Sequence, residues 1–224
     1  MVTVILPTKN EEQYIGETID KVRREAGDIR ILVVDARSRD RTVEIAREKG
    51  VEVIFDNGKG KGAALCMAFE HTMDDVVFVD PDATYPVERI GEFIRALEEA
   101  DTVIGERVSF SDGAIPGPLR LGDTVSRALF RLLFGRWLDN LSGFRGLSRR
   151  SIEMMRLESP GFGIETEITA KTARLSLSVR NIPIHYMPRR GKSKFDPVRD
   201  GLCVVLSMCK WRFRKLKQPD RTAR

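Results

Sequence analysis

Two carboxylates separated by one residue form the sharpest chemical pattern in the sequence. Asp80-Pro81-Asp82 directly follows the apolar run 76–79. A strand that ends in carboxylates at positions i and i+2 can direct both toward one hard cation, and Mg²⁺ or Mn²⁺ prefers such oxygen ligands. A metal here would neutralise charge on a departing diphosphate. The alternative is a capped turn before a helix that begins near Pro86.

Three further polar clusters follow apolar runs in the first part of the chain, at residues 7–12, 35–42 and 56–62. Each cluster alone suits ordinary turn chemistry. The glycine-lysine run 58–62 lacks P-loop spacing, and no GxGxxG follows the first apolar run, which disfavours an NTPase and a dinucleotide-dependent redox enzyme. Open α/β sheets bind ligands beyond the carboxyl ends of their strands, so four such clusters predict one shared site.

The apolar runs and the segments between them predict the elements that position these clusters. Short runs rich in Val and Ile indicate strands, and amphipathic segments indicate helices. Their alternation predicts an α/β fold, a mostly parallel sheet flanked by helices. The predicted strands are 2–6, 30–34, 51–55, 76–79, 102–104 and 179–186; the predicted helices are 13–26, 42–49, 63–72, 87–100, 119–137, 163–173 and about 198–216, with a loop at 109–118.

Composition bounds the domain count and the compartment. The chain has 224 residues, 42% of them hydrophobic, which suits one domain. No apolar run reaches the roughly 20 residues of a membrane-spanning helix, and the first residues lead straight into a strand, which predicts no signal peptide. Cys66, Cys203 and Cys209 lack metal-ligand spacing. Three cysteines cannot all pair, which favours a reducing cytoplasm.

Charge is distributed unevenly along the chain. The net charge is +5, yet residues 189–224 hold 12 Lys and Arg against 3 Asp and Glu, so the preceding part is net negative. A basic tail favours an anionic partner, which is a membrane surface, a phosphate-bearing substrate or nucleic acid. The other interpretation is a solvated terminus. We predict a domain at 1–197 followed by a basic amphipathic helix and tail at 198–224.

Eight motifs stand in a fixed order along residues 2–201: ILPTKNEE, VVDARSRDRT, GKGAA, DPDATYP, GER, DNLSGFR, FGIETE and PIHYMPRRGKSK. Together they resemble the family 2 glycosyltransferases of GT-A fold, and within them the dolichol-phosphate mannose synthase and polyprenyl-phosphate glycosyltransferase branch. The resemblance implies an inverting, metal-dependent transfer of a hexose, mannose or glucose, from a GDP- or UDP-sugar. It also implies Mg²⁺ or Mn²⁺ as the cofactor.

The resemblance further implies residue roles. Ser142, Gly143 and Phe144 would lie beneath the transferred sugar, and Arg190, Lys192 and Ser193 in a basic loop over the diphosphate. The implied donor-binding residues are Pro7, Glu11, Asp35, Lys61, Asp80, Asp82, Arg189 and Lys194. The implied metal ligands are Asp80 and Asp82, and the implied catalytic residues are Asp82, Arg145 and Glu165, with Glu167 in the same acidic segment.

Two departures from the family pattern leave the donor open. The common VDDGS reads VDARS here, so the choice between guanine and uracil stays open. Thr84 stands where many lipid-phosphate mannose synthases have a metal-contacting Gln. Mannose is therefore not established as the sugar.

The acceptor is predicted to be a polyprenyl or dolichyl phosphate. A phosphate monoester is largely dianionic at neutral pH and needs no general base, whereas a hydroxyl acceptor does. Guanidinium groups bind phosphate bidentately, which makes Arg107, Arg120 and Arg127 the candidate acceptor-binding residues. The segments 119–137 and 202–217 suit peripheral attachment to the cytoplasmic face of a membrane, or to a membrane-protein partner.

Three other functions stay open. A glycosyltransferase could act on a small phosphorylated or hydroxyl acceptor without lipid. A nucleotidyltransferase uses a similar sheet, but the first loop here lacks its glycines. A non-enzymatic module could bind nucleic acid, although the acidic strand-end cluster would repel a phosphate backbone, so we expect no nucleic-acid partner.

Overall fold

The computed structural model describes residues 1–115, 117–189 and 197–216. The strands are β1 (Val2–Thr8), β2 (Arg30–Asp35), β3 (Glu52–Phe55), β4 (Asp75–Val79), β5 (Thr102–Phe110), β6 (Phe144–Leu147) and β7 (Val179–Tyr186). The helices are α1 (Ile15–Ala26), α2 (Thr42–Glu48), α3 (Lys61–His71), α4 (Ile90–Ala96), α5 (Gly117–Phe134), α6 (Arg149–Met155), α7 (Ile164–Arg174) and α8 (Pro197–Phe213). A short 3₁₀ turn, Val87–Arg89, precedes α4.

The seven strands form one sheet in the order β3-β2-β1-β4-β6-β5-β7. Strands β1 to β4 run parallel, β6 runs antiparallel to both β4 and β5, and β7 is parallel to β5. The predicted mostly parallel α/β sheet is confirmed. The carboxyl ends of β1 to β4 therefore meet at one edge, where the polar clusters begin.

Helices cover both faces of the sheet. In β1, Val4 and Leu6 pack into one core with α1, α2 and α4, whereas Ile5 packs into a second core with α3, α6 and α7. Successive side chains of a strand point to opposite faces, so a strand covered on both sides needs a continuous apolar run. Burial of the strands on both faces therefore explains the continuous apolar runs in the sequence.

Several element boundaries differ from the prediction, and two elements were missed. Strand β5 continues to Phe110 because it pairs with β7 along its whole length, which shortens the predicted loop. Helix α5 ends at Phe134 rather than 137, because Gly135 adopts φ 71° and its N–H bonds back to the Arg131 carbonyl. Strand β6 and helix α6 lie in a stretch whose sequence has no clear periodicity.

Helix α8 packs onto the domain through one side. Its Val204, Met208 and Trp211 are buried in a core with Phe130 of α5 and Ala170 of α7. Among the described helices, none combines the length and the apolar character needed to cross a bilayer. The division of the chain at residues 197 and 198 stays a prediction, and residues 217–224 lie outside the described part.

Candidate functional site

Asp80 and Asp82 follow β4 at the carboxyl edge of the sheet. Oδ1 of Asp82 accepts hydrogen bonds from the backbone N–H of Thr84 at 3.1 Å and from its hydroxyl at 2.5 Å. This turn, with Ala83 at φ 61°, holds the Asp82 carboxylate in place. Burial and the neighbouring charge of Asp80 raise the pKa of the Asp82 carboxyl, although Thr84 and Arg189 oppose that shift. A carboxylate that is costly to leave charged suits a cation site.

Lys61 connects this pair to a third carboxylate. The residue opens α3, and its Nζ lies 2.6 Å from Asp80 Oδ1 and 2.7 Å from Glu165 Oε1. Burial by itself would lower the pKa of Lys61, but the charges of Asp80 and Glu165 outweigh it and hold the pKa above its ordinary value. Lys61 therefore stays protonated, and its positive charge lies at the centre of the site.

Arg189 reaches the same cluster from the end of β7. Its guanidinium donates to Glu11 Oε1 at 2.9 Å and lies 3.0 Å from Asp82 Oδ2. The structure thus brings together predicted residues from five separate segments of the chain. The predicted residues Arg190, Lys192, Ser193 and Lys194 lie outside the described residues.

The two acidic residues at the start of α7 have different surroundings. Glu165 faces Lys61, as above. Glu167 accepts a hydrogen bond from the backbone N–H of Ser159 at 2.7 Å and pairs with Lys171. Glu167 therefore stabilises the loop before α7, whereas Glu165 belongs to the charged cluster.

Gly143 leaves space for the Asp80 carboxylate. A Cβ at this position would lie 2.3 Å from Asp80 Oδ2 and 3.2 Å from Lys61 Nζ. The pairing of Phe144 with Val79, between β6 and β4, places this glycine there, and its N–H donates to the Tyr85 hydroxyl at 2.7 Å. The absence of a side chain at residue 143 is a requirement of the site.

We expect Gly143→Ala to lower kcat/KM for the donor by about a hundredfold, because a displacement of about 1 Å at a reacting centre has that effect. Asp80 must move, yet its side chain is one-quarter exposed and can do so without unfolding the protein. Steady-state kinetics and a thermal melt measure both effects. Gly146→Ala is the control, since a Cβ there would press at 3.2 Å on Leu97 and Val103, in the core; equal losses of activity in the two variants would contradict the role of Gly143.

Arg145, which was predicted to be catalytic, lies among hydrogen-bond acceptors of the chain. Its guanidinium is fully buried and donates to the carbonyls of Ser142 and Asp139 at 2.7 and 2.8 Å and to the Thr169 hydroxyl at 2.8 Å. Burial lowers the pKa of this guanidinium. These hydrogen bonds allow Arg145 to position the segment that carries Gly143, and its catalytic role stays a prediction.

Two of the three arginines predicted to bind acceptor phosphate are already paired with carboxylates. Arg107 and Arg127 each contact Asp139 and Asp123, at 2.6 to 3.0 Å, and both are buried. An acceptor phosphate would have to compete with these carboxylates, and the assignment of Arg107 and Arg127 to the acceptor stays a prediction. Arg120 is different: it lies exposed on α5, with its guanidinium 5.1 Å from the ring centre of Phe110.

The end of β2 carries a buried carboxylate. Asp35 is fully buried, and its carboxylate accepts from the Ser38 and Thr8 hydroxyls at 2.5 and 3.0 Å. Pro7 of β1 pairs with Val34 beside it. The backbone N–H of Asp56 donates to the Asp35 carbonyl, and Asp56 Oδ2 is buried with no hydrogen-bond partner among the described residues. Asp56 stood in a recognised cluster, but its sequence context did not distinguish it.

The two aspartates fit a divalent cation that is shared with a substrate. Among the described residues, no group of three or more His, Cys, Asp and Glu side chains is arranged to hold a metal ion. Mg²⁺ is commonly bound by one or two carboxylates, with substrate phosphates and waters completing its shell. Asp80 and Asp82, with the space that Gly143 leaves, provide such a partial site.

Comparisons with known proteins agree with this geometry. The family model described as "Glycosyl transferase family 2" matches residues 3–155. Glycosyltransferase AglJ of Haloferax volcanii is 35% identical over 216 residues, which cover 92% of this chain and 70% of that protein. A dolichyl-phosphate hexose transferase of the same organism is 30% identical over 211 residues, covering 92% of each chain.

A solved structure confirms the predicted GT-A fold. Glucosyl-3-phosphoglycerate synthase from Mycobacterium tuberculosis, in complex with Mn²⁺, UDP and phosphoglyceric acid, superposes with a TM-score of 0.76. The match covers 99% of this chain and 80% of that one, at 23% sequence identity.

Proposed function

The chain belongs to glycosyl transferase family 2, and from that premise we propose that it transfers a hexose from a GDP- or UDP-sugar to a polyprenyl phosphate. One observation carries the proposal. Asp80, Asp82, Lys61, Arg189 and Glu165 converge at the carboxyl edge of the sheet, where open α/β folds bind their ligands. The name of the dolichyl-phosphate hexose transferase supports a lipid-phosphate acceptor.

The acidic and the basic groups of the site have different roles. Asp80 and Asp82 would hold Mg²⁺ or Mn²⁺, which would supply charge neutralisation for the departing nucleoside diphosphate. Lys61 and Arg189 bring two further positive charges to the same place. These charges stabilise the leaving group where its negative charge develops, which is the usual source of catalysis in such transfers.

The acceptor chemistry follows from the state of Glu165. This carboxylate is buried and paired with Lys61, so it is engaged in the described structure. A phosphate monoester is already a nucleophile at neutral pH, so transfer of the sugar to it requires positioning of the phosphate rather than removal of a proton. Glu165 would act as a base only for a hydroxyl acceptor.

Transfer of radiolabelled sugar tests the proposed function. GDP-mannose, UDP-glucose and UDP-N-acetylglucosamine are each incubated with a short polyprenyl phosphate, with Mn²⁺, Mg²⁺ or EDTA. Metal-dependent label in the lipid phase establishes the reaction and identifies the donor. Metal-dependent release of nucleotide without a lipid product would instead move the acceptor to a soluble molecule.

An exposed apolar surface supports attachment to a membrane. Helix α8 buries one side and exposes the other, at Leu202, Val205, Leu206 and Phe213. The neighbouring helix α5 exposes Leu121, Val125 and Leu132. Helices α5 and α8 and the residues just after α8 also carry exposed basic side chains: Arg120, Arg131, Arg212 and Lys215. We propose that this α5–α8 surface lies on an anionic bilayer, because apolar insertion and basic charge together stabilise interfacial helices. The free cysteines agree with the cytoplasmic face.

Leu206→Glu is expected to weaken binding to vesicles that contain anionic lipid by about tenfold or more. Burying a leucine contributes about 1.5–3 kcal/mol, and the new carboxylate is repelled by the lipid. Vesicle sedimentation measures the partition. Met73→Glu is the control, since Met73 is also an exposed apolar residue, more exposed than Leu206, but lies after α3. Unchanged sedimentation of Leu206→Glu would remove the α5–α8 surface from the proposal.

A further inference from the structure

Both proposed metal ligands are already paired with cations of the chain itself. We propose that Lys61 and Arg189 are exchangeable counter-cations, which suppress metal binding until a nucleoside diphosphate arrives to receive them. The inference rests on the proposed metal site at Asp80 and Asp82, and it assigns a gating role to the two basic residues.

The pairing of Asp80 involves both of its oxygens. Lys61 Nζ lies 2.6 Å from Oδ1 and 2.8 Å from Oδ2. The same ammonium contacts Glu165 at 2.7 Å. A cation that coordinates Asp80 must therefore displace Lys61 from at least one oxygen.

Asp82 is engaged in a similar way. Its Oδ2 faces Arg189 at 3.0 Å, and its Oδ1 accepts two hydrogen bonds from Thr84. Arg189 also donates to Glu11. A metal at Asp82 must take the place of the arginine, because the Thr84 turn holds the other oxygen.

Charge explains why exchange needs the diphosphate. Lys61 contacts Asp80 and Glu165, and Arg189 contacts Asp82 and Glu11, so each of these cations pairs with two carboxylates. A divalent ion that arrives alone would lie beside two displaced cations in a largely buried site, and like charges repel strongly there. A diphosphate supplies the anion that Lys61 and Arg189 can bind. Metal and diphosphate should then strengthen each other's binding equally, as linkage requires.

Lys61 is suited to such movement. Its backbone is held by the close packing of Gly62, where a Cβ would lie 2.0 Å from the Ser159 carbonyl oxygen, and by the Ala63 N–H, which donates to the Pro160 carbonyl at 2.9 Å. The ammonium itself is carried on a flexible four-carbon stem. The loop can thus stay in place while the charge moves from Asp80 to a phosphate oxygen.

Mn²⁺ binding tests the inference without reference to turnover. Free Mn²⁺ is measured by electron paramagnetic resonance, with the protein alone and with GDP or UDP, after subtraction of the Mn²⁺ that nucleotide binds by itself. The wild type is expected to bind Mn²⁺ weakly alone and at least about tenfold more tightly with nucleotide. Lys61→Met is expected to bind Mn²⁺ about tenfold more tightly than the wild type without nucleotide, and to gain less from it. Lys59→Met, in the same loop but exposed, should match the wild type without nucleotide.

Arg189→Met provides a second test at Asp82, should Lys61→Met fail to fold as judged by circular dichroism. Nucleotide-enhanced Mn²⁺ binding in the wild type, with no increase in either variant alone, would overturn the counter-cation role and leave the metal site standing. No Mn²⁺ binding by any form, even with nucleotide, would overturn the proposed metal site and the inference together.

Discussion

The Asp82→Ala variant is expected to lose sugar transfer by about a hundredfold to a thousandfold while keeping its fold. Asp82 would be one of only two protein ligands to the metal, and loss of a single group that stabilises transition-state charge often costs about 10²–10³-fold. Because burial and Asp80 raise the pKa of Asp82, its charged form costs folding free energy above that pKa. Removing the carboxylate relieves that cost but also removes the acceptor of the two Thr84 hydrogen bonds, so we expect only a small change in the melting temperature at neutral pH.

Single-turnover transfer and a thermal melt measure the two effects. Asp20→Ala serves as the matched control, since Asp20 is an exposed carboxylate that pairs with Lys49 on the surface. We expect the control to keep full activity. An Asp82→Ala protein that is as active as the wild type would exclude Asp82 as a metal ligand.

Asp139→Ala is expected to lower the free energy of unfolding by about 3–5 kcal/mol. Asp139 is fully buried and binds both Arg107 and Arg127, so its removal leaves two buried guanidinium groups poorly compensated. Asp123→Ala is the control, because Asp123 contacts the same two arginines from a less buried position. The decrease in the free energy of unfolding should be clearly smaller in Asp123→Ala than in Asp139→Ala. Urea unfolding measures both, and equal losses would show that burial of Asp139 is not decisive.

The same network predicts a dependence of stability on pH. Burial by itself would raise the pKa of Asp139, but the charges of Arg107 and Arg127 hold it well below its usual range. A carboxyl with a lowered pKa contributes stability above its unfolded pKa of about 4, and that stability is lost as pH falls toward the folded pKa. We therefore expect the difference between wild type and Asp139→Ala to shrink below about pH 4.

The order of elements was readable from the sequence because its cause is local. Strands covered on both faces need continuous apolar runs, and each run here ends in polar residues at the same sheet edge. Asp80 and Asp82 stood out for this reason, since their spacing and position after β4 are properties of adjacent residues. The motif order then identified the family, which the comparisons confirm.

Long-range pairing decided what local patterns could not show. The sequence presented Arg107 and Arg145 in motifs and Arg127 on a predicted helix. No local pattern marked Asp139 as the partner of Arg107 and Arg127, or Thr169 as a partner of Arg145. Strand β6 is a strand because β4 and β5 accept it between them, and this placement brings Gly143 against Asp80.

The difference between what the sequence predicts and what only the tertiary structure decides has one physical reason. Apolar periodicity records which face of an element is buried, and the sequence carries that information residue by residue. The partner of a buried charge depends on which elements the sheet brings together across the chain. Lys61 between Asp80 and Glu165 is such a case, because a lysine in a glycine-rich loop has no local feature that predicts a carboxylate from α7.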